Sequence, residues 1–377
     1  MIENQRHLFN IPEDVHYFNC AYMSPLLNSA AKAGCAGVKS KTQPWKITAP
    51  DFFVDSNKAR KLFANLINAN IQDIALIPAV SYGTAIAALN LPIEADNKIL
   101  VLAEEFPSNL YAWREIAKKQ GATVKTVDRP SDNDWTSAIL EALDEHVRIV
   151  VLPQTHWVDG VQIDLELISG IIKHLSCSLV LDLTQSLGVV SIDVEKIKPD
   201  FLICASYKWL LGPYSFGFLY ANPKHHQGLP LEQGWVNRPG AENFSRLIDY
   251  TDTLNPDASR FDVGERSNIQ LLPIAITALE QIHEWQPVKI EESLQTYTNN
   301  LAERLVEIGF ACIDQKYRSP HFFSVTYTKG LPEDLLQQLA SRKIFISQRG
   351  DHLRIAPHLY NNQQDIDVLI DALVDIL

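Results

Sequence analysis

From Ile74 to Tyr220 the chain alternates short apolar runs, rich in β-formers, with longer amphipathic pieces. The runs are Ile74 to Ile77, Lys98 to Leu102, Thr123 to Val127, Arg148 to Leu152, Ser178 to Leu181, Asp200 to Ala205 and Phe216 to Tyr220. Between most of them apolar residues recur at helical spacing, as in Leu110 to Lys119, Trp135 to His146 and Leu165 to His174. Strands separated by helices predict an α/β domain: a mostly parallel seven-stranded sheet with helices on both faces. The last two runs are joined by about ten residues, too few for a helical crossover, so Phe216 to Tyr220 is expected to run antiparallel.

The flanks follow other rhythms. Upstream, a turn-rich opening ends in Tyr17-Phe-Asn-Cys-Ala-Tyr-Met-Ser-Pro25, before expected helices at Leu26 to Ser40 and Asp55 to Asn68, the second capped by Asp55 or Ser56. Downstream, Ala221 to Phe261 is rich in Gly, Pro and Asn and reads as loop. A long helical pattern then runs from Asn268 to Glu307, interrupted at Pro273 and Pro287. After it come a strand (Phe322 to Tyr327), a helix (Pro332 to Ser341), paired strands (Ile344 to Ser347, His352 to Ala356) and a helix from Gln363. The expected division is a large domain over 16–260 and a smaller α+β domain made of 1–15 and 261–377.

Composition narrows the function. Hydrophobic residues at 46% and charged ones at 21% over 377 residues are ordinary for a globular protein. The net charge of -12, with no local run of Lys and Arg, argues against nucleic acids and anionic membranes as partners. The five cysteines (Cys20, Cys35, Cys177, Cys204, Cys312) are scattered and never spaced Cys-x-x-Cys, which suits a reducing cytoplasm and neither a disulfide framework nor a zinc site. No apolar run reaches membrane-spanning length, and the opening residues carry no apolar segment. A cytoplasmic protein is expected.

In an open parallel sheet, ligands bind beyond the carboxyl ends of the strands, so residues there are candidates for chemistry. Lys208, in Ser206-Tyr207-Lys208 between two apolar runs, either reaches out to water or is held dry, where its pKa falls and its amine becomes nucleophilic. Asp182 ends the strand Ser178-Leu-Val-Leu-Asp182; it is either a turn former or a buried carboxylate beside a cation. In Pro78-Ala-Val-Ser81-Tyr82-Gly83-Thr84, hydroxyl and small residues stand at a helix start, where a phosphate or a plain N-cap would fit. A lysine, a carboxylate and an anion pocket together match the needs of pyridoxal phosphate (PLP). Rivals lack their marks. There is no Gly-x-Gly-x-x-Gly, Gly217 is followed by Phe218-Leu219 where a P-loop needs Lys-Ser/Thr, and neither His-Glu-x-x-His nor Gly-x-Ser-x-Gly occurs, so no metal is expected.

With Asp182-x-x-Gln185, Ser206-Tyr207-Lys208 and Gly212-Pro213 in place, the chain resembles the class V aminotransferase family of fold type I PLP enzymes, over nearly its whole length. That family includes cysteine desulfurases, kynureninases and isopenicillin N epimerase-like proteins. The resemblance implies that Lys208 forms the Schiff base, Asp182 partners the pyridine nitrogen and Gln185 bonds the ring hydroxyl. It implies that Ser81, Tyr82 and Tyr207 hold the phosphate, and that Phe106 stacks on the ring as in kynureninases; Phe106 as a core residue is the alternative. Arg354, in Leu353-Arg354-Ile-Ala-Pro-His-Leu-Tyr360-Asn361, matches the arginine that binds the substrate carboxylate, with a domain salt bridge as the alternative. Gln154 and His156 fall in the loop expected on the substrate side.

Two departures bear on function. Desulfurases carry a nucleophilic cysteine shortly before the arginine, whereas the nearest upstream cysteine here is Cys312, which disfavours desulfurase activity. Where the family often has threonine after Gly264, donated across a dimer to the phosphate, this chain has Glu265, which would repel it; Ser267 or Asn268 is expected in its place. The expected function is a PLP-dependent aminotransferase acting on an amino acid as a homodimer. A kynureninase-like or C–S lyase or epimerase activity is the alternative, and a non-catalytic PLP-binding protein a weaker one.

Overall fold

A computed structural model describes all 377 residues. The chain opens with β1 (His16–Tyr17), α1 (Asn28–Ser40) and α2 (Val54–Ile67). The alternating region follows as β2 (Ile74–Ile77), α3 (Val80–Asn90), β3 (Lys98–Leu102), α4 (Tyr111–Gln120), β4 (Thr123–Val127), α5 (Trp135–Ala142), β5 (Val147–Pro153), α6 (Leu165–Ile172), β6 (Ser178–Asp182), α7 (Val194–Ile197), β7 (Phe201–Ala205) and β8 (Gly217–Ala221). Its strands form one seven-stranded sheet in the order β2-β8-β7-β6-β5-β3-β4. Every neighbouring pair is parallel except those of β8, which runs antiparallel to β2 and β7, as its short connection requires.

Both faces of the sheet are buried. Alternation along β3 sends Leu100 and Leu102 into one core and Ile99 and Val101 into the other, and the same holds along β5 and β7. The first core is closed by α2, α6 and a later helix over Leu271–Trp285, the second by α3 and α4. The close approach of α3 depends on Gly83, where a Cβ would stand 3.0 Å from side-chain carbons of Ile203 and Ile77.

The C-terminal part contains α8 (Leu271–Trp285), α9 (Pro287–Glu307), β9 (Phe310–Cys312), β10 (Phe323–Tyr327), α10 (Leu335–Ser341), β11 (Ile344–Phe345), β12 (Ser347–Arg349), β13 (His352–Ile355) and α11 (Gln363–Ile376). Four of its strands make a small antiparallel sheet, β12-β13-β10-β9. No helix is long and apolar enough to cross a membrane.

The structure differs from the sequence expectations at several points. The run Ile344 to Ser347 is not one strand paired with His352 to Ala356: β11 pairs parallel with β1, and β12 alone forms the hairpin with β13. Pro273 does not interrupt α8, because it lies in the first turn, where a helical N–H has no carbonyl partner to lose. Helix α2 starts at Val54 without a side-chain cap, so Asp55 is a first-turn carboxylate facing the helix dipole rather than a cap. Strand β9 carries too short a pattern to be foreseen. Helix α8 packs in the large core through Leu272, Ala275, Leu279 and Ile282, while α9 spans both domains, with Ile290 and Leu294 in the large core and Leu301 and Leu305 in the small one. Helix α9 therefore contributes side chains to both cores.

Candidate active site

Strand β7 is buried throughout and delivers Ser206 to the carboxyl edge of the sheet. There the Ser206 hydroxyl donates to the carbonyls of Pro213 (2.7 Å) and Phe216 (2.8 Å), and the Gly212 amide donates back to Ser206 (2.8 Å). These bonds pin 206–216 as a closed loop with Lys208 on it. Gly212 is needed in that loop, since a Cβ would stand 2.8 Å from that of Ser206. Lys208 is 6% exposed, so it does not reach out to water. Its amine has no ion-pair partner, and lies 5.4 Å from the centre of the Phe106 ring and 5.6 Å from that of Tyr207. Burial, then the Arg354 guanidinium, pulls its pKa down to about 7, against the opposing pull of Asp182.

Asp182, at the end of β6, is both a turn former and a buried carboxylate. One oxygen accepts the Thr184 amide at 2.9 Å, and the side chain has no cation within ion-pair distance. Burial pushes it above the ordinary aspartate value, while Thr184 and Lys208 hold it back. Gln185 accepts from the Trp209 indole (3.0 Å) and donates to the Ala21 carbonyl (3.0 Å), which leaves one amide hydrogen uncommitted. At the next strand ends, α3 begins after Ala79 with no side-chain cap, so the first helical amides are free for an anion. Ser81 is exposed at this turn, and the half-buried Tyr82 hydroxyl has no hydrogen-bond partner.

The small domain brings Arg354 to the same place. On β13, 1% exposed, it donates to the Trp157 carbonyl (2.8 Å) and the Ser347 hydroxyl (3.2 Å) and pairs with no carboxylate. Burial, then the neighbouring Arg349, pulls its pKa down to about 9, which leaves it a cation at neutral pH. Trp157 joins it to Phe106, whose ring meets the indole edge-on at 5.6 Å.

Other predicted residues lie elsewhere. Gln154 donates to the Ser191 carbonyl at 3.3 Å and lines a separate cleft of about 770 Å³ with Gln162, Asp164 and Glu291. His156 is fully buried, stacked on Trp135 at 5.0 Å, with its ring nitrogens 3.3 Å from Asp159 and 3.2 Å from the Ala103 carbonyl. Burial pulls its pKa down, but the Asp159 and Glu105 carboxylates outweigh it and the net shift is upward. The Ser267 hydroxyl donates to the Phe52 carbonyl, and Asn268 accepts the amides of Gln270 (3.1 Å) and Leu271 (2.9 Å) at the start of α8. Tyr207, by contrast, stays beside Lys208: it is half-buried, its ring centre is 5.6 Å from the Lys208 amine, and its backbone carbonyl accepts the Ser24 amide at 3.0 Å.

Sequence reasoning missed Trp157, Arg349 and Glu105. Glu105 is buried with one oxygen unpartnered, and burial pushes it up to about 7. For Arg349 a signal existed: in a tight hairpin it shares a face with Arg354.

The assembled groups are a dry amine, a carboxylate with a free oxygen, an uncapped helix start, an aromatic ring and an unpaired buried arginine. Unpaired buried charges are unfavourable unless a ligand answers them. The set fits PLP: an amine for its aldehyde, a carboxylate for its ring nitrogen and helix amides for its phosphate.

The family model described as aminotransferase class V matches residues 49–369. A probable cysteine desulfurase of Pyrococcus abyssi is 24% identical over 340 residues, covering 85% of this chain and 82% of that protein. The kynureninase of Bacillus anthracis is 24% identical over 313 residues, 79% of this chain and 71% of the relative. Among solved structures, a mutant of C-DES with glycine covalently linked to its PLP cofactor superposes with a TM-score of 0.88, at 20% identity, over 99% of this chain and 100% of that one.

Proposed function

Because the chain belongs to the class V aminotransferase family, we propose that it is a PLP-dependent aminotransferase that anchors the cofactor on Lys208 and takes an amino acid as substrate. The observation that carries the reading is the set of three buried charges, Lys208, Asp182 and Arg354, gathered at one sheet edge with no ion-pair partner. When bound, the cofactor supplies an electron sink for the bonds at the substrate carbon that bears the amine.

The chain's own residues do the rest. A lysine with a pKa of about 7 is substantially neutral at physiological pH, so Lys208 can both attach the cofactor and take or return the substrate's proton. Asp182 would partner the ring nitrogen, Phe106 would lie against the ring and Gln185 would offer its uncommitted amide hydrogen to the ring hydroxyl. The start of α3, with Ser81, Tyr82 and Tyr207, receives the phosphate. Arg354 receives the substrate carboxylate through its planar fork. Gln154 and His156 have no part in this arrangement, and Trp157 takes the place expected of them.

A second reading, kynureninase-like or C–S lyase chemistry, is favoured by Phe106 lying over the Lys208 amine. Desulfurase chemistry is disfavoured despite the desulfurase relative, because the nucleophilic cysteine is missing: Cys312 is tied to Arg318 at 3.2 Å and no cysteine lies between it and Arg354. All five cysteines are free, which suits a cytoplasmic enzyme.

Holoenzyme offered a panel of amino acids should pass stably to the amine form of the cofactor, with release of a 2-oxo acid. Release of ammonia with return of the starting chromophore would instead support elimination, the C–S lyase form of the second reading. The working unit is a homodimer. Phe52, Trp235 and Phe244 pack edge to face, Ser267 is bonded to the Phe52 carbonyl, and Ile248 and Tyr250, shortly after Phe244 in the chain, are 76% and 95% exposed. Sedimentation at twice the chain mass is expected, and a monomer that retained cofactor and turned over would contradict it.

A further inference from the structure

The charges around Lys208 do not balance once the groups above are assigned. Two arginines act on its amine, Arg354 and Arg349, against one carboxylate, Asp182. Strands β12 and β13 pair Ser347 with Arg354 and Arg349 with His352, so the alternation of side chains puts both arginines on one face of the hairpin. Both guanidinium groups stand by Trp157, that of Arg349 at 5.5 Å from the centre of its ring and that of Arg354 at 6.0 Å. Neither has an acid partner; Arg349 donates only to the neighbouring Gln348 carbonyl, at 2.7 Å. Arg354 is fully buried, whereas Arg349, one residue from the turn at Gly350, is partly open to solvent.

One arginine accounts for the carboxylate that every amino acid carries next to its amine. The other is left over, nearer the mouth, where a substrate side chain would extend. We propose that the substrate is an acidic amino acid, its α-carboxylate held by Arg354 and its side-chain carboxylate or sulfinate by Arg349. This rests on the reading of the site as one that binds an amino acid. Two planar forks beside one indole form a clamp for a molecule with two acid groups a few bonds apart, and each charge-assisted pair is worth roughly a tenfold change in affinity or more.

The test is calorimetric titration of holoenzyme and apoprotein with succinate and with butyrate, which share a four-carbon chain and differ in the second carboxylate. Succinate should bind at least about tenfold more tightly. Arg349→Gln should abolish the preference while the borohydride-reducible cofactor linkage is retained, which shows that the variant is folded. Equal binding of the two acids by the wild type, or a preference that survives Arg349→Gln, overturns the proposal. So does a variant that keeps the preference but dissociates to monomers, since Arg349 would then serve a carboxylate of a second copy. A succinate preference in a protein that holds no reducible cofactor would leave the role of Arg349 standing and sink the proposed function instead.

Discussion

Lys208 owes its lowered pKa first to burial. An amine in water is protonated until pH 10.5, whereas burial and then Arg354 bring this one down to about 7. Between those values the unfolded chain binds a proton that the folded chain does not, so the lysine's destabilising effect is full below pH 7 and fades as the pH rises toward 10.5. Lys208→Met should therefore raise the Tm of the apoprotein, more at pH 6 than at pH 9. Cofactor capture by wild-type apoprotein, followed by absorbance, should rise with a midpoint near pH 7, and Arg354→Met should move that midpoint upward. A midpoint near 10 would show an exposed lysine. Lys208 and Asp182 could be singled out in the sequence because each is a charged type at the end of an apolar run, with burial left open, and Arg354 could be singled out only through the family resemblance. Gln154 and His156 were misleading for a local reason. The chain turns back at once, with the His156 amide on the Val161 carbonyl (2.8 Å) and the Gly160 amide on the His156 carbonyl (2.9 Å), so His156 goes inward and Trp157 reaches the site.

At the level of elements, the site depends on how closely two loops approach at the sheet edge. Gly188 follows the Asp182 to Gln185 turn with φ +106, and a Cβ there would stand 2.3 Å from the Trp209 carbonyl. Gly188→Ala should cost about 1–3 kcal/mol in stability and loosen the cofactor, because it pushes the Asp182 turn away from the Lys208 loop. Denaturant unfolding and cofactor retention on dialysis would check it; unchanged values in both would show that the contact is dispensable. The parallel sheet and its one reversed strand were legible because alternating patterns and connection lengths are local. The split of Ile344 to Ser347 was not, since nothing near those residues says that β1, over three hundred positions away, supplies the partner. Arg349 was missed with it, because its face is set by the hairpin register.

On the scale of the molecule, neither domain holds the site alone. Lys208, Asp182 and Phe106 come from the carboxyl edge of the large sheet, and Arg354 and Arg349 from the small one. Helix α9 contributes to both cores and ties the two together. The existence of two domains was legible in the break of rhythm after Tyr220. The core that α8 joins was not, because this helix is amphipathic in either setting and only tertiary packing assigns it to the large core. Borohydride reduction of holoenzyme followed by peptide mass spectrometry tests most directly whether Lys208 carries the cofactor. The pyridoxyl mass should appear on the peptide containing Lys208 and vanish in Lys208→Ala; a mass on any other lysine, or one that persists in that variant, would contradict it.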